Sequence, residues 1–556
     1  MPSQPWALRF DRDRRQKTPL VISAKRNPVS KKGDDKMQAM SAQQRSTGVI
    51  FRAVERTVPF GALVLVMLIA WWDNPAWSAR PTRAGTACCP EQGLTYLGTI
   101  RPRHAREIEA SNWSVGAETM DRDYTIYAHW RNYLGPLGVK MARIQSGWAK
   151  TERRRGQYDW AWLDEIIPDM ASQGVQPWVC LCYGNPIYPD GGGTGLGGGL
   201  PSSPEALAAW DAFVAAFVQR YKQYVTHWEV WNEPKIGRGQ GAVIYARFVA
   251  RTAAVVRRYQ PQARVIFAAG AAFDLVFVEQ VLTWLRDNGK LHLVDEIAYH
   301  PYAYNPDDSY ERVEELRRIA HSFSSRLRLR QGENGAPSQR GSFGAISKHD
   351  WTELRQAKWA TRRLLGDLGR DIPSSYFSIC DMAYYVNPRG RDVGLGRDQG
   401  KHRVRINTKG LLAINPDRTV HHAKLAYRAV QHITALFDNR VTRIKDFKAT
   451  LSGGAAGARY SVFGYRGPGG GLLVTVWRSS DRPGERPERE LVSLHLPNSS
   501  LDQPVWIDLV SGRVYAMDDS LCRTSEDGGT TVRLPVYDSV IVLAERSAIG
   551  IVRPTD

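Results

Sequence analysis

The sequence predicts an α/β chain: an eight-stranded parallel (β/α)8 barrel of the TIM type over residues 106–438, then an antiparallel β-sandwich over 439–548. Three observations predict it. Short β-rich apolar runs alternate with longer helical patterns across the first region. After about Asn439 the helical patterns stop, and short runs broken by Gly, Pro, Asn and Asp turns replace them. No G-x-G-x-x-G follows the first strand, which counts against the competing doubly wound sheet.

The barrel strands are read, in order, at SNWSVGAE (from Ser111), VKMARIQ (Val139), VQPWVCLCYG (Val175), HWEVWNE (His227), RVIFAAG (Arg264), DEIAYHPY (Asp295), RLRLRQGENG (Arg326) and YFSICDMAYY (Tyr376). Helices fill the gaps. WAWLDEIIPDMASQG covers the second, despite Pro168. In SSPEALAAWDAFVAAFVQRYKQY, Ser203 is an N-cap, Pro204 suits the first helical position, and Glu205 complements the helix dipole. Leu207, Trp210, Phe213, Val214, Phe217, Val218 and Tyr221 then share one face. YARFVARTAAVVRRY stops before Pro261. The glycine-rich run Gly191–Leu200 lacks the Lys-Ser/Thr of a phosphate loop and reads as a flexible loop or lid after strand three. In the C-terminal region KATLSGG, ARYSVFGYRG, GGLLVTVWR, ELVSLHLP, PVWIDLVSGRVYAM and VRLPVYDSVIVLAER are strands, expected to form a stabilising appendage packed on the barrel.

Residues 1–57 mix both charge signs without an apolar period and read as a basic, disordered tail, with Met37 or Met40 as alternative starts. Val58–Trp72 is the one long apolar run, short of the roughly 20 residues that span a bilayer. With Arg52 and Arg56 before it and Ala76 and Ser78 after it, segment 58–79 reads as a signal peptide or an uncleaved membrane anchor. Either places the remainder outside the cytoplasm, after a linker over 80–105.

The 556 residues carry a formal charge of +19, 43% hydrophobic residues, 18 Trp and six Cys. That charge admits an acidic glycan, an anionic membrane face or nucleic acid as partner. No helix-turn-helix, zinc finger or RNP-like motif is present, so nucleic acid is not expected. Six cysteines are too few for a disulfide framework. Cys180 and Cys182 share one strand face and read as buried thiols.

In a parallel barrel the carboxyl ends of all strands open on one face, where side chains meet a ligand. The fourth strand ends in EVWNEP. Its apolar residues fill the interior, Glu233 emerges at the mouth, Asn232 stands beside it, and Pro234 ends the strand. The seventh ends in GENGAPS, with Glu333 between Gly332 and Gly335. Strands four and seven face each other across eight, so the two acids can share one substrate. Glu229 and Glu296 lie within strands and read as structural.

WNEP and GENGAPS resemble the acid/base and nucleophile segments of the retaining glycoside hydrolases of clan A, whose barrels carry these acids at the ends of strands four and seven. The layout is similar to family 39, and more loosely to families 5 and 42, over Ser111–Phe437. The resemblance implies Glu233 as acid/base with a raised pKa and Glu333 as nucleophile. It implies Asn232 on the sugar 2-hydroxyl, and Arg143, in KMARIQSGW, as the cation that keeps Glu333 ionised. His300 and Tyr302, in YHPY, are expected to border the nucleophile. Trp148, Trp113 and Tyr183 are candidates to stack on a sugar, and Asn185, in YGNP, to touch it. Many clan members place a Trp at the end of strand eight. Here the region reads CDMAYYVNP, and Tyr384 or Tyr385 is expected to substitute. The implied substrate is a carbohydrate, with no cofactor and no metal. Two other classes stay open: a carbohydrate-binding protein on an inactive barrel, and a basic scaffold for polyanions.

Overall fold

The computed structural model describes residues 93–270, 273–387, 403–486, 488–497, 499–526 and 528–553. The tail, segment 58–79 with its signal or anchor reading, and Cys88 and Cys89 lie outside these. Among the described residues no helix is long and apolar enough to cross a membrane.

Eight parallel strands close a barrel: β1 (Trp113–Gly116), β2 (Met141–Gln145), β3 (Gln176–Leu181), β4 (His227–Val230), β5 (Arg264–Ala268), β6 (Glu296–Tyr299), β7 (Arg328–Asn334) and β8 (Ser374–Tyr376). Closure is made by β1, which pairs with β2 (Ser114 opposite Met141) and with β8 (Trp113 opposite Ser374). The strands are short and almost wholly buried, since helices cover one face and barrel side chains the other. The interior is not purely apolar. Arg330 donates to Glu296 at 2.7 Å and Arg143 to Glu229 at 2.7 Å. The Trp178 ring lies 4.9 Å from the first guanidinium and 5.6 Å from the second. Each charge buried in this interior is therefore paired, as desolvation demands.

The helices follow their sequence signals. Pro204–Tyr221 begins where Ser203 Oγ accepts from the Ala206 N–H at 3.2 Å, and it buries Trp210, Phe213, Val214 and Phe217. Gln240–Tyr259 and Ala161–Ser172, with Pro168 inside the latter, cover neighbouring strands.

Strand eight differs from the sequence reading. YFSICDMAYY is not one strand: β8 ends at Tyr376, the chain turns, and Met382–Val386 pairs antiparallel with Arg403–Asn407 as a separate hairpin. The apolar run continues through the turn because Met382 and Tyr385 pack on Phe377 and Tyr124. A buried turn thus carries the pattern of a strand.

The linker is also corrected in part. Leu94–Ile100 is a strand, antiparallel to Arg513–Met517, in an eight-stranded sheet made otherwise of C-terminal strands. Its partner lies far along the chain, so nothing local marks it. A four-stranded sheet faces this one: Thr450–Gly453, Glu490–Leu496, Thr530–Val536 and Cys522–Thr524. Strand Leu472–Arg478 shows the packing. Leu472, Val474 and Val476 enter the core between the sheets, while Leu473 and Trp477 join the barrel core. Ile541 and Leu543 against Val542 and Ala544 repeat the alternation.

Helix Glu353–Leu368 is buried from Gln356 to Asp367. From it Lys358 Nζ donates to Asp538 Oδ1 (2.7 Å) and to the Gly484 and Arg486 carbonyls (2.9 and 3.0 Å) of the sandwich. Arg362 reaches Asp307 (2.6 Å) and the Ser479 carbonyl (3.2 Å). These contacts are specific, because an ammonium taken from water needs each of its donors satisfied. Asp538→Ala is expected to cost about 3 kcal/mol, the usual toll for orphaning one partner of a buried pair. Lys358→Met/Asp538→Leu should recover most of it. Denaturant midpoints of the three proteins measure this; an Asp538→Ala protein as stable as wild type would remove the pair from what docks the sandwich.

Candidate active site

At the mouth of the barrel is a cavity of about 590 Å³, lined among others by Glu233, His300, Tyr302 and Glu333. Glu233 follows β4 on a backbone bent hard out of the strand: Trp231 has φ 65° and Glu233 φ 46°. Two non-glycine residues in the left-handed region cost energy that the packed strand must offset, and such strain gathers at functional sites. Glu333 stands near the end of β7, against His300 and Tyr302 from the loop after β6.

One ligand atom each from Glu233, His300 and Glu333 lies within 4.8 Å of the other two. His300 Nδ1 is 2.9 Å from Glu233 Oε1 and 3.8 Å from Glu333 Oε2. The Tyr302 hydroxyl donates to Glu333 Oε1 at 2.9 Å, and Arg143 Nη1 donates to Glu333 Oε2 at 3.2 Å. Both Glu333 oxygens therefore receive a donor.

Arg143, at the middle of β2, is fully buried. Its Nε and Nη2 grip Glu229 at 2.7 and 3.0 Å. Nη2 also donates to Asn232 Oδ1 (2.8 Å), and Nη1 is shared between Glu333 and Glu118 Oε1 (3.0 Å). Asn232 Nδ2 in turn donates to the Tyr183 hydroxyl at 2.7 Å. This accounts for one of its two amide hydrogens, and Asn232 itself is buried.

One guanidinium thus serves three carboxylates, and the shortfall shows at Glu118. Burial pushes its carboxyl up to about 7; Arg143 opposes this and Glu333 adds to it. Glu118 Oε2 has no hydrogen-bond partner among the described residues, so its charge is supported only through Oε1 and Arg143. Burial also acts to raise Glu233, but the hydrogen bond and charge of His300 outweigh it, and the net shift is downward. The raised pKa expected for Glu233 is therefore not found in the ligand-free site. His300 shifts up: burial opposes its charge, while Glu333 and Glu233 favour it. The pair holds its proton on the imidazole side. Tyr302 stays a hydroxyl, its pKa raised by burial and by both acids.

Glu233, His300 and Glu333 are also a set that could ligate a metal. They come from three strand ends, so no spacing in the sequence signals them together.

The remaining candidates divide. Tyr384 lines the cavity from the hairpin, its ring 5.3 Å from that of Phe343. The residue directly after β8 is instead Phe377, which lines the cavity where a Trp was sought. Trp148 and Asn185 are corrected to structural roles. Trp148 is fully buried, donates to Glu152 Oε2 at 2.6 Å and stacks on Tyr188 and Phe213. Asn185 donates to the Glu152 carbonyl (2.8 Å) and accepts from the Ile187 N–H (3.2 Å), shaping a buried turn. Trp113 is likewise core, bonded to the Phe437 carbonyl at 2.6 Å, and Tyr183 is buried behind Asn232. The glycine-rich loop is tied down by Gly184 N–H to Gly193 O and Asn185 N–H to Gly191 O, both 2.8 Å, and sends exposed Leu196 to the cavity rim. Glu118 was missed, although SVGAE places an acid at a strand end just as VWNEP does. Lys409, also on the cavity wall, carried no local signal.

A family model described as beta-galactosidase, glycoside hydrolase family 42, matches residues 126–191. A family 39 glycoside hydrolase from the gut symbiont Bacteroides cellulosilyticus WH2 is similar at 18% identity and a TM-score of 0.57, over 80% of this chain and 83% of its own. The likeness to this structure is one of fold: a closed eight-stranded parallel barrel followed by antiparallel sheets. A family 39 enzyme from Xanthomonas axonopodis pv. citri is similar at 15% identity and a TM-score of 0.48, over 84% of this chain and 99% of its own. No curated protein matches the chain. The family-model match takes in β2, with Arg143, and β3, and ends before both Glu233 and Glu333.

Glu118 gives a pH signature. Between the ordinary 4.5 and about 7 the folded chain keeps a proton that the unfolded chain releases, so stability falls as pH rises through that window. Glu118→Gln, fixed in the neutral form, should flatten this fall. Melting temperatures of the two proteins from pH 4.5 to 7.5 check it; parallel curves would mean that Glu118 ionises normally.

Proposed function

We propose that the protein is a retaining glycosidase that hydrolyses an O-glycosidic bond of a poly- or oligosaccharide by double displacement. The observation that carries this is the closeness of Glu233 and Glu333, whose nearest ligand atoms lie within 4.8 Å of each other and of His300 at the edge of one cavity. Retaining pairs stand about 5–5.5 Å apart, whereas inverting pairs leave about 6.5–9.5 Å for a water between them.

In the first step Glu333 attacks the anomeric carbon, the glycosidic C–O bond breaks, and the leaving oxygen takes a proton from Glu233. Arg143 and Tyr302, on the two Glu333 oxygens, fix the carboxylate and turn one oxygen to the sugar. The Glu233/His300 pair supplies the proton, which a 2.9 Å contact lets move from imidazole to carboxylate as the leaving oxygen draws on it. The second amide hydrogen of Asn232 meets a sugar hydroxyl and strengthens as the ring flattens toward an oxocarbenium ion. In the second step Glu233 takes a proton from water, the hydroxide attacks the anomeric carbon, and the glycosyl ester to Glu333 breaks. The apolar segment 58–79 supports action outside the cytoplasm.

On aryl glycosides, Glu333→Ala is expected to lose activity for every leaving group. Glu233→Ala should lose about 10²–10⁴-fold on poor leaving groups, and much less on a nitrophenolate that departs without a proton. Added azide should restore Glu233→Ala turnover and give the glycosyl azide of retained configuration, whereas azide acting in place of the Glu333 carboxylate in Glu333→Ala gives the inverted one. A 2-fluoro-glycosyl adduct mapped to Glu333 would agree. A wild-type protein that binds sugars and cleaves none of a broad panel would leave the inactive-barrel reading.

A further inference from the structure

The cavity wall carries a lysine that none of these steps uses. Lys409, two residues beyond the hairpin strand Arg403–Asn407, is 1% exposed and lines the cavity. Its Nζ donates to the Phe343 carbonyl at 3.0 Å and to Asn407 Oδ1 at 3.4 Å. Both are neutral acceptors. The nearby acids are otherwise engaged: Asp381 with Lys424 at 2.6 Å, and Glu333 with Arg143 and Tyr302. Among the described residues Lys409 has no ion-pair partner, and a buried ammonium left so is expensive. Burial lowers its pKa to about 7, with Glu333 and Asp381 pulling the other way.

Gly344 shows what this amine faces. A Cβ at Gly344 would stand 3.3 Å from Lys409 Nζ and 3.5 Å from Asn407 Nδ2, with no other atom within 4 Å beyond the glycine and its chain neighbours. Two N–H donors thus stand close together over the bare backbone of Gly344, and all three residues line the cavity. Asn407 is held in this sense, because its Oδ1 is turned back to accept from the Lys409 backbone N–H (3.3 Å) and from Nζ. They are near the chemistry: Nζ is 6.0 Å from the centroid of the Tyr302 ring, whose hydroxyl bonds Glu333.

We propose that Lys409 and Asn407 form a subsite for an anionic substituent of the sugar, carboxylate or sulfate, so that the substrate is an acidic glycan. A carboxylate offers two oxygens to two donors, and its charge supplies the counter-ion the ammonium lacks. The inference deepens the glycosidase reading and rests on it for the position of the reacting ring.

The test reads binding without turnover, in Glu233→Gln protein, which keeps the Glu333 charge beside Lys409. Dissociation constants are measured by calorimetry for methyl glycosides of hexuronic acids, for their neutral hexose twins and for hexose 6-sulfates. At least one anionic glycoside should bind about tenfold tighter than its neutral twin. A uronide preference identifies a carboxylate, a sulfate preference a sulfate ester. Adding Lys409→Met should abolish the preference, and adding Asn407→Asp, which puts a negative charge at the same point and guards against a Lys409→Met protein that fails to fold, should reverse it. No preference for any anionic member, or a preference that survives both substitutions, overturns the subsite. Failure of the wild type to hydrolyse any glycoside, with the preference intact, would sink the glycosidase reading and leave the subsite standing.

Discussion

The site depends on one buried cation. Arg143 is sealed inside the barrel, and its five N–H groups are spent on Glu229, Asn232, Glu118 and Glu333. The bidentate grip of Glu229 fixes the plane of the guanidinium, because Arg and a carboxylate meet along two parallel bonds. With that plane set, one edge is aimed at Asn232 and one nitrogen at the nucleophile candidate. Three acids against one cation leave a charge deficit in a place that water cannot screen. Glu118 takes up part of that deficit, its carboxyl pushed up to about 7 by burial and by Glu333. The electrostatics around Glu333 are thus set by Arg143, Glu229 and Glu118, none of which is among the cavity-lining residues.

Rigidity around this cation comes from packing further out. Helix Glu353–Leu368 lies between barrel and sandwich and is buried along most of its length. Its Lys358 and Arg362 are locked by partners in the sandwich. The eight-stranded sheet is apolar on both faces, one closing the sandwich core and the other the barrel core. The helix that leads into β8 is thus held to the sandwich by its own side chains. The C-terminal region therefore bears on the site through position, without lining it.

Much of this was legible in the sequence because the signals were local. Seven of the barrel strands stand where short β-rich runs precede helical periods. The Ser203 cap and the apolar face of the helix after it follow from residues three or four apart. Glu233 and Glu333 announce themselves by ending strands that otherwise fill an interior. The failures share a cause. Trp148 and Asn185 follow strand ends too, but their side chains turn back into the core, and direction is not written in position. Leu94–Ile100 found its partner at Arg513–Met517, and the CDMAYY run satisfied its apolar residues in a hairpin over the mouth.

The sequence alone determined the order of strands and helices, and hence that acids at two strand ends would open on one face, because a parallel β/α alternation closes in essentially one way. Only the tertiary structure decided which groups share a proton or a cation. That Arg143 reaches Glu118 as well as Glu333, that His300 draws Glu233 down, and that Lys409 and Asn407 stand together over Gly344 depend on distances of about 3 Å between distant segments. At that range a single rotamer decides the outcome, and no periodicity along the chain encodes it.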